Sequence, residues 1–339
     1  MKASSLKAVI ETAFKKKIKR PLMIWGAAGV GKSSVVAEAA TSLNVPLIDL
    51  RLSQIEPVDL RGIPTVDKKG YTDFARSKLL PSEEIHGPQG ILFLDEITSG
   101  DLSMQAAGYQ LINDRKLGDH ALPNGWLIIA ASNREEDRGI VNRMVAPLAN
   151  RFSSHLQFDL DLKDWTVWAA SAGINPLVVG FLNFRPNYLH AFNPDRGAEM
   201  AFPSPRSWEA VSNWVDLGVD PEDELELVLG AVGTEAGTEF TGYRRVASEL
   251  PDISDIEAAP STTPVPSEVA TMYALSSVLA FRIDASNNIA FCEYMARLAP
   301  EFTTIFMDMV KGKDVTLLNN KPAIDWMTEH GNALFGLAA

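Results

Sequence analysis

Cysteine is nearly absent: Cys292 is the only one in 339 residues. A single thiol excludes an internal disulfide and a cysteine metal site, and it points to a reducing compartment. Long apolar runs are missing too, since none approaches the roughly 20 residues that a bilayer-spanning helix needs. The opening stretch MKASSLKAVIETAFKKK has no signal-peptide core and reads as an amphipathic helix. The expected location is therefore cytoplasmic, with no membrane partner. Positive charge is scarce: 31 Lys and Arg face 43 Asp and Glu, for a net charge of −12. That balance argues against direct nucleic-acid binding, whose affinity comes largely from neutralising phosphates. The basic run at 15–20 stands alone and reads as a solvated helix end. The five histidines, His86, His120, His155, His190 and His330, show no metal-ligand spacing.

What is present has a clear order. The length allows two or three domains with a sizeable core. Five apolar runs of strand length, PLMIWG, VPLIDLRL, GILFLDE, WLIIAASN and SSHLQFDL, alternate with helical segments up to Leu160. That alternation predicts an α/β domain over 1–160, a parallel sheet with helices on both faces. From Asp161 the pattern turns helical. LKDWTVWAASAG stops at Gly173, and SPRSWEAVSNWVDLG opens with Ser204 as N-cap, carries Pro at the first helical position and ends at Gly218. PDISDIEAAPSTTPVPSE, rich in Pro, Ser, Thr and acid, reads as a linker or extended strap before helical patterning resumes.

The first of the five runs leads into Gly26-Ala27-Ala28-Gly29-Val30-Gly31-Lys32-Ser33-Ser34, which fits G-x4-G-K-[ST] where a strand gives way to a helix. Glycines there let successive N–H groups converge on phosphate oxygens, and the helix start adds its positive end. Lys32 would reach the outer phosphates, and Ser33 would ligate Mg²⁺. The apolar strand ILFLDEI ends in two carboxylates, with Asp95 suited to the Mg²⁺ shell and Glu96 to polarising an attacking water. A third strand ends in Asn133, whose neutral amide can orient water and γ-phosphate without adding charge; as a plain turn residue it reads equally well.

With these three elements in this order, the sequence resembles the AAA+ ATPases, and within them the MoxR family. Asp59–Glu84 sits where that family carries its insert within helix 2, and Arg115–Trp126 where it carries a β-hairpin ahead of the Asn strand. Either Gly118-Asp119 or Asn124-Gly125 could make that hairpin's turn. PLANRF resembles the segment bearing the arginine finger, and FPSPRSW the sensor-2 start of the lid. The likeness is specific over roughly residues 20–215. One departure is Ala28, where MoxR-type loops usually have proline; this reduces preorganisation and removes no phosphate contact.

The resemblance implies an AAA+ core, an α-helical lid over 161–250, and a linker with helical extension over 251–339. It implies ATP and Mg²⁺ as cofactors, with Gly26 to Ser34 and Asp95 around the nucleotide. Arg151 would reach the γ-phosphate of a neighbouring subunit, so that hydrolysis depends on a homo-oligomeric ring, usually a hexamer. Arg115, Arg138 and Arg143 are the other finger candidates. Arg206 would couple nucleotide state to lid angle within its own subunit. The implied role is a chaperone-like motor working through a von Willebrand A domain protein. Two other readings stand beside it: a McrB-like motor of a nucleic-acid restriction system that uses GTP, and a non-hydrolysing nucleotide-gated scaffold.

Overall fold

All five apolar runs become strands of one parallel sheet. In chain order the strands are β1 (Leu22–Trp25), β2 (Leu47–Arg51), β3 (Pro64–Val66), β4 (Thr72–Phe74), β5 (Gln89–Asp95), β6 (Lys116–Leu117), β7 (His120–Ala121), β8 (Gly125–Ser132) and β9 (Ser154–Gln157). The sheet runs β2-β5-β8-β1-β9, while β3–β4 and β6–β7 are separate antiparallel hairpins. The computed structural model describes residues 1–75, 77–99, 102–118, 120–134, 144, 146–192, 201–247 and 250–335. It contains two units, Met1–Leu160 and Asp161–Ala339.

In the first unit the helices are α1 (Ala3–Lys15), α2 (Lys32–Ser42), α3 (Pro57–Arg61), α4 (Glu83–His86), α5 (Leu102–Asp114) and α6 (Ala146–Ala149). The three central strands, β1, β5 and β8, are buried on both faces because they are apolar at nearly every position rather than at alternate ones, while the edge strands β2 and β9 carry polar side chains and stay partly exposed. Ile91 and Phe93 of β5 face Leu6, Ile10, Val36 and Ala39 of α1 and α2. Leu92 and Leu94 point the other way, onto Met104, Ala107 and Leu111 of α5 and Leu148 and Phe152 at α6. The strand order decides where a ligand can sit. β1, β5 and β8 run in the same direction, with β8 in register with both of the others. Their C-terminal ends therefore open on one edge, where ligands of open α/β sheets bind.

In the β6–β7 hairpin Leu117 pairs with His120, which places the turn at 118–119; Gly118 has φ +56° and Asp119 lies outside the described residues. Asn124-Gly125 instead leads into β8.

The second unit is helical: α7 (Leu162–Ala172), α8 (Pro176–Phe184), α9 (Pro205–Leu217), α10 (Pro221–Val232), α11 (Thr234–Ala247), α12 (Ile253–Ala258), α13 (Val269–Arg282), α14 (Asn288–Met295), α15 (Pro300–Asp314) and α16 (Lys321–Phe335). Ser204 caps α9 with Pro205 at its first position, and Gly218 closes it in the left-handed region, as the sequence predicts. Phe181 centres an aromatic cluster with Tyr188, Trp208, Phe240 and Tyr243. Helices from both sides of residue 250 pack together: α13 lies on α8 and α15 on α7. Gly312 of α15 is the close-approach point, because a Cβ there would lie 2.1 Å from the Val167 carbonyl oxygen.

The Pro-rich stretch 251–268 is more ordered than its composition suggests. Asp252 caps α12, Thr263 donates to the Asp255 carbonyl, and Tyr294 donates to that of Pro264. Arg297 adds donations to the Pro260 and Thr263 carbonyls.

Candidate nucleotide site

β1 delivers the chain to Gly26, whose N–H donates to the Ser132 carbonyl at 3.3 Å. A side chain at Gly26 would put its Cβ 2.9 Å from the Phe158 carbonyl oxygen, so the loop leaves the sheet through a gap that only glycine fits. Gly29 and Gly31 then take φ of +75° and +98°, turning the loop into α2. No side chain caps α2. The amides of Lys32, Ser33 and Ser34 are thus first-turn donors, aimed as an anion site requires.

The side chains of three strand ends meet there. Lys32 is buried to 8% exposure, and its Nζ donates to the carbonyls of Gly26 (2.8 Å) and Ala27 (2.9 Å) and to Asn133 Oδ1 (2.8 Å). Ser33 Oγ donates to Asp95 Oδ2 at 2.9 Å. The Glu96 amide donates to the other oxygen of Asp95, also at 2.9 Å. The Ser33 hydroxyl and Asp95 carboxylate form a hard oxygen pair that fits Mg²⁺. Among the described residues there is no cluster of three or more acidic, His or Cys side chains able to cage a metal ion. Mg²⁺ takes one or two protein ligands and completes its shell with water and phosphate.

Glu96 itself sits at φ +56°, a left-handed conformation that costs a non-glycine residue roughly 1–3 kcal/mol unless its surroundings impose it. Here they do. The next amide, Ile97, donates to the Ala131 carbonyl, and Thr98 hydrogen-bonds Ser132 on β8. The Glu96 carboxylate accepts a hydrogen bond from the Ser53 hydroxyl just beyond β2. Asp49 on β2 has its carboxyl pushed up, first by burial and then by the charge of Asp95, with Arg51 opposing.

The model of the AAA domain, dynein-related subfamily, matches residues 21–152. That stretch, residues 21–152, is similar to the AAA domain. Among solved structures the chain is similar to a point mutant of RuvB from Thermotoga maritima (14% identity, 74% of each chain, TM-score 0.39). It is also similar to NtrX from Brucella abortus in complex with ADP (16% identity, 99% of this chain and 68% of that one, TM-score 0.36). No curated protein matches the chain.

The candidate finger and sensor arginines divide by what they hold. Arg151 follows α6 and edges a cleft of about 350 Å³ with Tyr109, Asn113, Asp114 and Leu148. No side-chain hydrogen bond or ion pair holds its guanidinium among the described residues. Arg115 is committed within its own chain, donating to the carbonyls of Lys19, Pro123 and Trp126, and burial lowers its pKa. It is a brace for the β6–β7 hairpin, not a free finger. Arg138 and Arg143 lie outside the described residues. Arg206 belongs to the second unit, exposed in the first turn of α9.

Sequence motifs missed two contacts. One is Ser53 on Glu96. The other is His155, whose Nδ1 accepts from the Trp25 indole N–H at 3.0 Å while its Nε2 donates to the Ala149 carbonyl at 2.9 Å. Its ring also packs on Phe152, with centroids 5.5 Å apart. His155 thus ties the residue before the phosphate loop to the segment that carries Arg151.

Proposed function

We propose that the chain is a MoxR-like AAA+ ATPase that hydrolyses ATP with Mg²⁺ in a homo-oligomeric ring of six subunits, remodelling a partner complex through a von Willebrand A domain protein. The observation that carries the catalytic part is the convergence of Lys32, Asn133, Ser33 and Asp95 at the ends of three adjacent parallel strands. Phosphoryl transfer needs positioning and charge neutralisation more than covalent chemistry. The loop amides and Lys32 hold the phosphates. Ser33 and Asp95 would hold Mg²⁺, which when bound neutralises charge on the outer phosphates. Glu96 polarises the attacking water, and Asn133, held by Lys32, orients it. Arg151, with no side-chain partner among the described residues, is suited to act on a neighbour's γ-phosphate. Arg206 would report nucleotide state to the helical lid at 161–250. The MoxR assignment, ring size, partner class and extension at 251–339 rest on the sequence resemblance.

Glu96→Gln tests the core of this reading. It should bind ATP and assemble while turnover falls by about 10²–10³. Turnover at the unsubstituted rate would remove Glu96 from its role. Measuring hydrolysis of ATP and GTP side by side on the unsubstituted protein separates this reading from the GTP-using restriction-type motor.

A further inference from the structure

The hairpin β3–β4 is built to be presented. Its stem is fixed: Leu60 and Leu80 on either side are buried in the core, and the Ser77 hydroxyl hydrogen-bonds the Asp59 carbonyl. The Ala75 amide donates to the Ile63 carbonyl. Gly62 takes φ +84°, and a Cβ there would fall 1.7 Å from the Ala75 carbonyl oxygen, so the two stem strands touch through backbone. Above this stem the side chains are bare. Pro64 pairs with Phe74 and Val66 with Thr72, which puts Val66 and Phe74 on one face and Ile63 and Tyr71 on the other. Their exposures are 75% for Val66, 46% for Phe74, 67% for Ile63 and 70% for Tyr71. Val58 and Leu79 extend the same exposed group at the base. A two-stranded hairpin with no covered face has little stability of its own, and an apolar group of this kind marks an interaction site.

Charge selects the partner. Within 61–78 stand five basic side chains, Arg61, Lys68, Lys69, Arg76 and Lys78, against two acidic ones, Asp67 and Asp73, in a chain of net charge −12. Both acids are engaged with backbone: Asp67 Oδ1 accepts from the amides of Lys69 and Tyr71, and Asp73 Oδ1 from that of Phe74. Arg61, Lys68, Lys69 and Lys78 are exposed and form no ion pair among the described residues.

We infer that this hairpin clasps an acidic polypeptide segment carrying apolar side chains, the point at which the motor engages its protein partner. The inference deepens the remodelling-motor reading and rests on it for the purpose of the grip, not for the binding itself. The two exposed rings, Tyr71 and Phe74, stand on opposite faces, each beside an aliphatic side chain, so they make no continuous platform for successive bases, which disfavours single-stranded nucleic acid. The tip, Asp67-Lys68-Lys69-Gly70, is charged while the apolar residues flank it, the reverse of what insertion into a lipid surface needs.

The test uses the full chain and a fluorescein-labelled peptide alternating Glu with Leu and Phe, read by anisotropy. Parallel arms use the same peptide with Lys for Glu, a dT oligonucleotide and phosphatidylglycerol vesicles. The acidic peptide should bind and weaken with salt. Both Val66→Ser/Phe74→Ser and Lys68→Glu/Lys69→Glu should lose about tenfold in affinity while ATP hydrolysis and melting temperature stay unchanged. No binding of the acidic peptide, equal binding by both variants, or preference for the oligonucleotide or vesicles would overturn the inference. A fall in oligomeric mass in either variant would overturn it too, by assigning the face to contacts between copies. Peptide binding that survives in a chain found not to hydrolyse ATP would sink the motor reading and leave the docking surface standing.

Discussion

The phosphate site and the β3–β4 hairpin lie in one unit and solve opposite problems. In the site, polar side chains complete each other: Lys32 with Asn133, Ser33 with Asp95, Glu96 with Ser53. At the hairpin, apolar side chains complete nothing, and Val66 and Tyr71 are at least 70% exposed. Buried polar groups must be satisfied where they stand, because leaving one unpaired costs about 1–3 kcal/mol. Exposed apolar ones carry no such local demand and can wait for a surface on another molecule. The pocket is thus specified from within the chain, and the hairpin by what it meets.

The sharpest way to break this contrast is to make the pocket depend on another molecule as well. Arg151→Ala should lower turnover by about 10³ or more, the worth of a trans-acting finger, with ATP affinity kept. Lys32→Ala should be equally inactive through lost phosphate binding. Mixed together, the two inactive proteins should recover part of the activity, since one supplies the intact arginine and the other the intact pocket. An inactive mixture under conditions where rings form would return Arg151 to its own subunit.

Next in size is a change that attacks the hairpin through its stem. Gly62→Ala forces a Cβ onto the Ala75 carbonyl and a positive φ onto a non-glycine residue. It should cost about 1–3 kcal/mol and weaken binding of the acidic peptide about tenfold, without altering ATP affinity. A loss of ATP affinity of similar size would show that the two regions are not independent.

His155 measures how far the pocket's order extends. His155→Phe keeps a ring beside Trp25 and Phe152 but removes both hydrogen bonds. If the clamp positions Arg151, kcat should fall about tenfold with ATP affinity within about twofold, because a small displacement of a charge-stabilising group is costly. His155→Gln, able to replace one of the two bonds, should recover part of the loss. Equal losses in kcat and affinity would make His155 a general brace for β1 instead.

What could be read from the sequence obeys the same division. The phosphate loop, the paired carboxylates after β5 and the five sheet strands declare themselves through short spacings: closely set glycines before Lys32, and unbroken apolar runs. Such patterns are local and the backbone dictates their consequences. The Trp25–His155 bond joins residues 130 positions apart and belongs to no motif. Ser53 is one serine among many until β2 and β5 lie side by side. The stretch 251–268 reads as a linker by composition, and its bonds with Asn287, Tyr294 and Arg297, from distant sequence, reveal it as tied down. Family resemblance marks the hairpin's segment as an insert, but its bare apolar faces depend on the register of Val66 with Thr72, which no pattern states.

The smallest expected effect is the one that defines the hairpin. Val66→Ser removes a branched apolar side chain, a change that in a core position would cost about 1.5–3 kcal/mol of burial. At 75% exposure there is little burial to lose. The melting temperature should stay within about 1–2 °C, the range of surface substitutions in a unit of this size. Leu60→Ser at the stem, from a position 1% exposed, supplies the contrast and should lower it by several degrees or more. A large drop from Val66→Ser would mean that the side chain is used within its own chain, and the face would then offer a partner much less than its exposure implies.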